Sequence, residues 1–314
     1  MTNIEIIKCH GSGNDFIMVD ATRLDDGCTV DWSAFARIAC DRATGIGSDG
    51  VLLVVRNEAG IYGMDMLNPD GTHAEMCGNG IRCVARLASE RNYLDSGVLT
   101  SGGRLFPTHH AEPIAKGVEA FSVDIPISRW SSSFGFFNSD ESFEGKVIKN
   151  LDPTLRFTAL NLGNPHVVAK VDKIDMSLLE QLGERVKCLK EEFPYGVNVS
   201  LYEVLSPRSI FVATYERGAG ITLSCGTAMT ASATAATLLG YVDKGERIEV
   251  FNRGGKVVCA TRINNGDIVT TLEGNATFEW MGEAHFDGKR LRYNIKHNTG
   301  EAERWCEFVD SLNK

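Results

Sequence analysis

The chain contains 314 residues with a net charge of −9; 43% of its residues are apolar and 23% are charged. This composition is typical of a globular protein, and the length allows two domains. The negative charge argues against nucleic acid or an anionic membrane as the main partner, because both attract basic surfaces. No run has the length of a membrane span and no signal peptide is recognised, so we expect a cytoplasmic protein whose partner is a small molecule.

Strand-like runs dominate the first half of the chain. They are β-branched or alternating, and Gly, Asn or Asp bounds them. The runs lie at 3–10, 16–20, 50–55 and 63–67. An amphipathic helix is predicted over 32–43, and the sequence NPDG at 68–71 favours a turn. A second helix is predicted after Cys77, with one apolar face formed by Ile81, Val84, Ala85 and Ala88.

The second half has a similar order of predicted elements. Its strand-like runs lie at 156–163, 166–172, 198–204 and 209–216. An amphipathic helix is predicted over 176–192. The run after Cys225 is small and uncharged on every side, which is typical of a buried helix, and Gly240 is a suitable C-cap. We expect 131–152 to be a polar surface loop and 297–314 to be an amphipathic tail.

The two halves share landmarks when they are aligned on Cys77 and Cys225. Asn68 and Glu216 each lie nine residues before their cysteine, and Gly50 and Asn198 each lie 27 before it. Two Gly-Asn pairs precede these landmarks at similar offsets, with Asn14 63 residues and Asn164 61 residues before the cysteine. The chain is therefore interpreted as two copies of one unit.

This repeat predicts an α+β protein with two pseudo-symmetric domains. Each domain would be a curved, mostly antiparallel, barrel-like sheet wrapped around a central helix, with a cysteine at the N-terminus of that helix. The first domain is predicted over 1–127, with about 275–314 returning to it, and the second over 128–274.

Nine cysteines, an odd number, favour reduced thiols in the cytoplasm. Seven are interpreted as small buried hydrophobic residues: Cys9, Cys28, Cys40, Cys83, Cys188, Cys259 and Cys306. The other two, Cys77 and Cys225, are expected at helix N-termini, where a thiol has a lowered pKa and backbone N–H groups bind carboxylates.

Two such helix ends facing each other would suit racemisation. One thiolate removes the α-proton from one face of an amino acid, and a thiol returns a proton on the other face. N–H donors aimed at the carboxylate stabilise the charge that develops there. His166 and Glu216 are predicted to exchange a proton with a cysteine, and Arg217 offers a fork for a second carboxylate. We expect no cofactor and no metal, because a pyridoxal phosphate site would leave the two cysteines without a role.

The segments HGSGNDF, NPDGTHAEMCGNG, NLGNPH and YERGAGITLSCGT closely resemble the diaminopimelate epimerase family, which comprises cofactor-independent two-cysteine enzymes. The resemblance covers about residues 5–290. It implies a two-domain fold with a cleft, a homodimer, and Cys77 and Cys225 as the acid/base pair. It implies that the reacting carboxylate is held by Gly78, Asn79, Gly226 and Thr227. The distal end of the substrate would be read by Asn14, Asn68, Asn164, Asn198, Glu216 and Arg217.

Four residues at three sites depart from the family pattern. Ile221 replaces a usual Glu, Ala228-Met229 replaces a usual Gly-Ala, and Gly50 stands where some members carry a polar residue. Because the distal residues match the family, the resemblance implies an epimerase that interconverts LL- and meso-diaminopimelate by a two-base mechanism. Relatives act on other amino acids, so a racemase of histidine or another amino acid is an alternative. A non-catalytic amino-acid-binding protein of the same fold is another.

Other functional classes fit the residues less well. Cys77 and Cys83 lack the spacing of a zinc site, and a cysteine protease using His166 would leave the second cysteine unexplained. The sequence GIGSDG at 45–50 matches GxGxxG, but it precedes a strand and does not open a helix, so it fails the context of a dinucleotide site. His166 could also be a structural histidine, Glu216-Arg217 a structural ion pair, and the asparagines turn residues.

Overall fold

The computed structural model describes residues 2–24, 29–74, 76–93, 97–129, 134–135 and 142–312. Cys28 and parts of the predicted loop 131–152 lie outside these residues. The chain separates into two compact units, one formed by Met1–Val123 with Gly274–Lys314 and the other by Asp124–Glu273.

Strands make up most of the described secondary structure. Those up to residue 148 are β1 Thr2–Gly11, β2 Asn14–Asp20, β3 Gly50–Arg56, β4 Tyr62–Leu67, β5 His73–Ala74, β6 Val98–Ser101, β7 Arg104–Ala115, β8 Val118–Ile127 and β9 Lys146–Ile148. The later strands are β10 Asp152–Asn161, β11 Pro165–Lys170, β12 Asn198–Ser206, β13 Ser209–Glu216, β14 Gly220–Ile221, β15 Arg247–Asn252, β16 Gly255–Asn264, β17 Asp267–Asn275, β18 Thr277–Phe286 and β19 Leu291–Asn298. The α-helices are α1 Trp32–Ala39, α2 Gly78–Glu90, α3 Met176–Val186, α4 Gly226–Leu238 and α5 Glu301–Leu312.

Strand pairing follows the same order in each unit. In the first, β2 pairs parallel with β3, β3 antiparallel with β4, and β4 antiparallel with β5 and parallel with β6. In the second unit the corresponding pairs are parallel β11 with β12, antiparallel β12 with β13, antiparallel β13 with β14 and parallel β13 with β15. Most other pairs are antiparallel. The strand pairing thus confirms the internal repeat and the α+β class.

One helix lies against several strands in each unit. Helix α2 contacts β1–β4, β6 and β7, and α4 contacts β10–β13, β15 and β16. Helices α1 and α3 cover other parts of the sheets, where Phe35 packs with Ile4 and Ile17, and Leu179 packs with Phe157 and Val199. In each unit, strands of the sheet therefore pack against a central helix and against a covering helix.

The covering helices begin at aspartate caps and end earlier than predicted. The Asp31 carboxylate accepts from the Ala34 N–H at 2.9 Å, and the Asp175 carboxylate accepts from the Ser177 N–H at 2.8 Å. The predicted continuation of α3 to 192 is wrong, because the N–H groups of Lys187 and Cys188 bond three residues back, to Glu184 and Arg185. Such bonds tighten the last turn and end the α-helix.

Helix α2 is buried on every side over residues 78–88, as the predicted central helix requires and beyond the single apolar face that its pattern shows. The buried residues include Arg82 and Arg86. Their guanidinium groups are buried with hydrogen-bond partners, which the apolar pattern alone does not reveal. Helix α4 is buried as predicted, and the hydroxyls of Thr230 and Thr234 donate to the carbonyls four residues earlier at 2.8 Å. These bonds satisfy polar groups that would otherwise be costly inside the protein.

Two further predictions need correction. Cys188 and Cys306 are exposed, whereas Cys9, Cys40, Cys83 and Cys259 are buried as expected. The segment 131–152 is not only a polar loop, because it contains β9 and the fully buried Leu151.

Candidate active site

Cys77 and Cys225 occupy the same position in their respective units. Each is the extended residue that precedes a buried helix, with φ −138° and ψ 111° for Cys77 and φ −128° and ψ 107° for Cys225. The N–H groups of the first helical turn have no acceptor within their helix. Each cysteine therefore lies beside backbone donors and the positive end of a helix dipole.

The Cys77 side chain lies next to two asparagines. Its sulfur is 3.7 Å from Asn14 Oδ1, and it accepts from the Gly80 N–H at 3.4 Å. Asn79 donates from Nδ2 to the same Asn14 oxygen at 3.3 Å. The Asn14 amide in turn donates to the Asp49 carboxylate at 2.7 Å. This bond leaves the Asn14 oxygen directed at Cys77 and Asn79.

Arg82 holds Asn79 from the other side. Its guanidinium donates to Asn79 Oδ1 at 3.1 Å and to the Gly78 carbonyl at 2.9 Å. The side chain of Arg82 is completely buried. Because the Asn79 oxygen accepts from Arg82, the Asn79 amide nitrogen is the end that points to Asn14.

Cys225 is buried, and its pKa is raised well above the usual value of a thiol. The largest cause is burial, followed by the negative charge of Glu216; a hydrogen bond from Thr227 acts in the opposite direction. The lowered pKa expected at a helix N-terminus is therefore wrong for Cys225. Burial and the charge of Glu216 favour the neutral form of this thiol.

A polar network of the second unit surrounds Thr227. The Thr227 hydroxyl lies 3.5 Å from the Cys225 sulfur and accepts from Asn164 Nδ2 at 3.2 Å. His166 Nε2 lies 3.0 Å from Asn164 Oδ1 and 3.1 Å from the same hydroxyl, and 3.5 Å from the amide of Asn198. The structure thus brings four predicted site residues together beside Cys225.

His166 is completely buried, and burial lowers its pKa to about 3, with a smaller effect from the charge of Arg217. Within the described part of the chain its Nδ1 atom has no hydrogen-bond partner. The imidazole is therefore neutral at neutral pH.

Glu216 and Arg217 lie at the end of β13. Glu216 accepts a hydrogen bond from the Thr222 hydroxyl, and its charge raises the pKa of Cys225. The backbone N–H of Arg217 donates to Asn198 Oδ1 at 2.8 Å, and its guanidinium donates to the Tyr195 carbonyl at 2.8 Å. The Arg217 side chain is exposed.

Asn68 follows β4 and belongs to the predicted turn. Its side chain donates to the Thr72 hydroxyl at 3.0 Å, and its carbonyl accepts from the Gly71 N–H at 2.9 Å. The structure gives Asn68 these turn contacts, and its side chain is half-buried.

The three departures from the family pattern have different surroundings. Gly50 on β3 pairs with Phe16 on β2, and Asn198 on β12 pairs with His166 on β11. Gly50 and Asn198 therefore hold equivalent positions in the two units. Ile221 packs partly buried against the apolar core of the second unit. Met229 is buried, and its sulfur accepts from Asn252 Nδ2 at 2.9 Å. A small cavity is lined by both Met229 and Cys225.

Two positioning residues were missed by sequence reasoning. Asp49 lies in the GIGSDG segment, whose pattern suggested only a comparison with a dinucleotide site. Arg82 follows Cys77 by five residues and interrupts the apolar run Ile81, Cys83, Val84 and Ala85. A charged residue in such a pattern signals a buried partner, since an unpaired buried charge is very costly.

A metal ion bound by protein side chains needs several ligands in one place. The described residues contain no group of three or more His, Cys, Asp or Glu side chains that could hold a metal ion. No helix in the described part of the chain has the length and apolarity needed to cross a bilayer.

Two solved structures with a similar fold have low sequence identity to the chain. A phenazine biosynthesis protein of Bacillus anthracis is 16% identical with a TM-score of 0.63, and covers 91% of this chain and 100% of its own. A hydroxyproline epimerase of Agrobacterium vitis, solved with trans-4-hydroxy-L-proline, is 14% identical with a TM-score of 0.60, and covers 90% and 92%. At these identities the similarity concerns the fold alone.

Curated relatives that are named diaminopimelate epimerase are much closer in sequence. The relative from Clostridium acetobutylicum is 36% identical over 100% of this chain and 96% of its own. Those from Ligilactobacillus salivarius and Enterococcus faecalis are 38% and 34% identical, over 87% and 99% of this chain and 88% and 99% of their own. The family model for diaminopimelate epimerase matches residues 6–119 and 158–279. The chain therefore belongs to the diaminopimelate epimerase family.

Proposed function

We propose that this protein is an isomerase that interconverts LL- and meso-diaminopimelate without a cofactor, as a step of lysine biosynthesis. The observation that carries the proposal is the repeated placement of Cys77 and Cys225 at the N-termini of buried helices. The substrate comes from the curated relatives, whose name specifies diaminopimelate.

The proposed chemistry needs two acid/base groups. A thiolate takes the proton from the α-carbon, the electron pair is delocalised into the α-carboxylate, and a thiol delivers a proton to the opposite face. The configuration inverts, and the two sulfurs exchange protonation states. Backbone donors at Gly78, Asn79, Gly226 and Thr227 would stabilise the charge on the carboxylate, which is the largest contribution that a protein can make to this step.

Cys225 is proposed as the protonated partner in the resting enzyme. Its burial and the neighbouring charge of Glu216 favour the neutral thiol. Cys77 would then be the sulfur that acts first as the base: it ionises from the thiol that contacts Asn14 Oδ1, and the N–H of Gly80 and the end of α2 favour its thiolate. In the reverse direction the roles are exchanged, so the pair titrates as one coupled system.

His166 is proposed to act through Thr227. A neutral imidazole with Nε2 near Asn164 and Thr227 orients the hydroxyl beside Cys225, and carrying a proton would be costly at its depressed pKa. Glu216 is proposed to tune the Cys225 thiol.

The distal, non-reacting end of the substrate carries an ammonium and a carboxylate. We propose that amide and carboxylate side chains read the ammonium and that Arg217 reads the carboxylate. The proposed residues are Asn14, Asn68, Asn164, Asn198, Glu216 and Arg217.

Proton NMR in D₂O with a reducing agent tests this function. The α-proton signals of LL-diaminopimelate, L-histidine, L-glutamate and L-lysine are followed in parallel. Loss of signal from diaminopimelate alone is expected. Loss from histidine alone would keep the two-thiol chemistry but overturn the substrate, and no exchange from any of them would favour a binding protein.

We further propose that the protein is a cytoplasmic homodimer. Two thiols that must stay reduced fit a reducing compartment, and the exposed Tyr293 and Ile295 on β19 are apolar side chains available to a second copy. Light scattering on the purified protein gives the mass: a dimer is expected, and a monomer at micromolar concentration would contradict it.

A further inference from the structure

We propose that the C-terminal helix α5 is part of the catalytic architecture, with Glu301 and Trp305 as positioning residues for Cys77. This inference rests on the proposed role of Cys77. Two separate chains of contacts connect α5 to that cysteine, both within the first unit.

The first chain of contacts is an ion pair between α5 and α2. The guanidinium of Arg86 forms a two-pronged pair with Glu301, with N–O distances of 2.6 and 2.8 Å. Both side chains are at least nine-tenths buried. A forked pair of this kind constrains geometry as well as charge. Glu301 therefore constrains the rotation of α2 about its axis and its position along that axis. The first residue of α2 follows Cys77.

The surroundings of this pair leave it little freedom. Arg86 also donates to the Ala276 carbonyl at 2.7 Å and to the Glu90 carboxylate at 2.8 Å, and its guanidinium lies 3.9 Å from the ring centroid of Phe278. Glu301 accepts from the Phe278 N–H at 3.1 Å. The ion pair is therefore held in one arrangement, as a positioning contact requires.

The second chain of contacts begins at Trp305, which is 3% exposed. Its ring lies 5.8 Å from the ring of His10. His10 Nδ1 accepts from the Gly13 N–H at 3.3 Å and lies 3.2 Å from the amide of Asn275. Asn275 accepts from the Ser12 N–H at 2.7 Å. Trp305 thus supports the histidine that holds the turn before Asn14.

This turn requires external support because its backbone is unusual. Ser12 and Gly13 have φ of 55° and 80°, a region that a residue such as serine seldom adopts. Asn14 follows directly, and its oxygen lies 3.7 Å from the Cys77 sulfur. Both chains of contacts from α5 therefore end at the same cysteine.

The test compares Glu301→Gln with Glu307→Gln, a matched charge removal at an exposed position of the same helix. Trp305→Leu removes the aromatic ring that lies against His10 but keeps the Arg86–Glu301 ion pair. Trp305→Phe keeps an aromatic ring at this position. Alkylation of Cys77 by iodoacetamide is followed by mass spectrometry, with the exposed Cys188 as internal reference. Turnover of diaminopimelate is measured on the same samples, and circular dichroism checks folding.

We expect Glu301→Gln and Trp305→Leu to slow Cys77 alkylation relative to Cys188 and to lower kcat about 10- to 100-fold, because small displacements of a reacting group are costly. Trp305→Phe should recover most of the loss, and Glu307→Gln should match the wild type. If Glu301→Gln does not fold, Trp305→Leu decides. Unchanged Cys77 alkylation in a folded variant overturns the positioning role, whereas altered alkylation in a protein that never epimerises diaminopimelate overturns the proposed function alone.

Discussion

Asn14 connects the Cys77 sulfur to a carboxylate. Its oxygen lies 3.7 Å from the sulfur, while its amide nitrogen donates at 2.7 Å to Asp49. The carboxylate thereby decides which end of the amide meets the thiol. A hydrogen bond to a charged group is worth more than one between neutral groups, so the orientation of Asn14 depends on Asp49.

Replacing Asp49 by Asn should release the Asn14 amide. Loss of a charged hydrogen bond is expected to lower kcat/KM about 10- to 100-fold, as measured by epimerisation of LL-diaminopimelate. Arg42→Gln is the matched control, because Arg42 also pairs with Asp49, at 2.8 Å. Arg42 also pairs with Asp15 at 2.7 Å, so an equal loss in Arg42→Gln would show that the ion pairs of Arg42, and not Asn14, explain the effect.

Cys77→Ala and Cys225→Ala should each abolish epimerisation, since either change removes one of two required proton carriers. A loss of at least about 10²- to 10⁴-fold in kcat is expected for each, and Cys→Ser should retain slow turnover at most. The exposed residues Cys188 and Cys306 provide controls, and their alanine variants should keep full activity. Substantial turnover in either Cys77→Ala or Cys225→Ala would contradict the two-thiol mechanism.

Glu216→Gln should lower the pKa of Cys225, because the carboxylate charge raises it and burial remains. In a Cys77→Ala background, the pH midpoint of Cys225 alkylation should shift down when the charge of Glu216 is removed. Glu246→Gln, an exposed charge removal in the same unit, should leave the midpoint unchanged. If Cys225 titrates alike in the Glu216 variant and its parent, burial alone raises the pKa of this thiol.

Mild acid should destabilise the protein through two buried histidines. Burial lowers the pKa of His10 to about 4 and that of His166 to about 3. The unfolded chain binds protons below about pH 6.5 whereas the native protein does not, so the free energy of unfolding falls from that pH to about pH 4. The loss is about 3 kcal/mol for His10.

Urea unfolding at several pH values measures this effect. His10→Asn keeps an acceptor for Gly13 and should flatten the pH dependence, as should His166→Gln. His297→Gln is the control, because His297 is exposed. A pH dependence identical in all variants would exclude the histidines as its cause.

Gly50→Ala should destabilise the first unit. A β-carbon at this position would lie 2.8 Å from the Leu67 carbonyl oxygen and 3.1 Å from the Met66 methyl group. Overpacking of this kind costs about 1–3 kcal/mol, which thermal unfolding measures. An unchanged Tm would show that β3 and β4 can separate at this point, and that a larger polar residue is acceptable there.

Much of the fold follows from the sequence because its signals are local. The strand-like runs, the amphipathic helix after Asp31 and the Cys-Gly steps before α2 and α4 reflect periodicity and capping among near neighbours. Matched offsets from Cys77 and Cys225 were enough to show the repeat, which the strand pairing confirmed. Helix ends were less predictable. The last turn of α3 is closed by backbone N–H groups that bond to the carbonyls three residues earlier, which periodicity does not reveal.

Only the tertiary structure decided the electrostatics and the support of the site. Burial in the folded chain raises the pKa of Cys225, whereas the helix end alone predicted a lowered value. Arg82 and Arg86 could be buried in α2 because partners arrive from Asn275 and Glu301 near the other end of the chain. Sequence patterns fix what neighbouring residues prefer, whereas desolvation and long-range pairing exist only after the chain has folded.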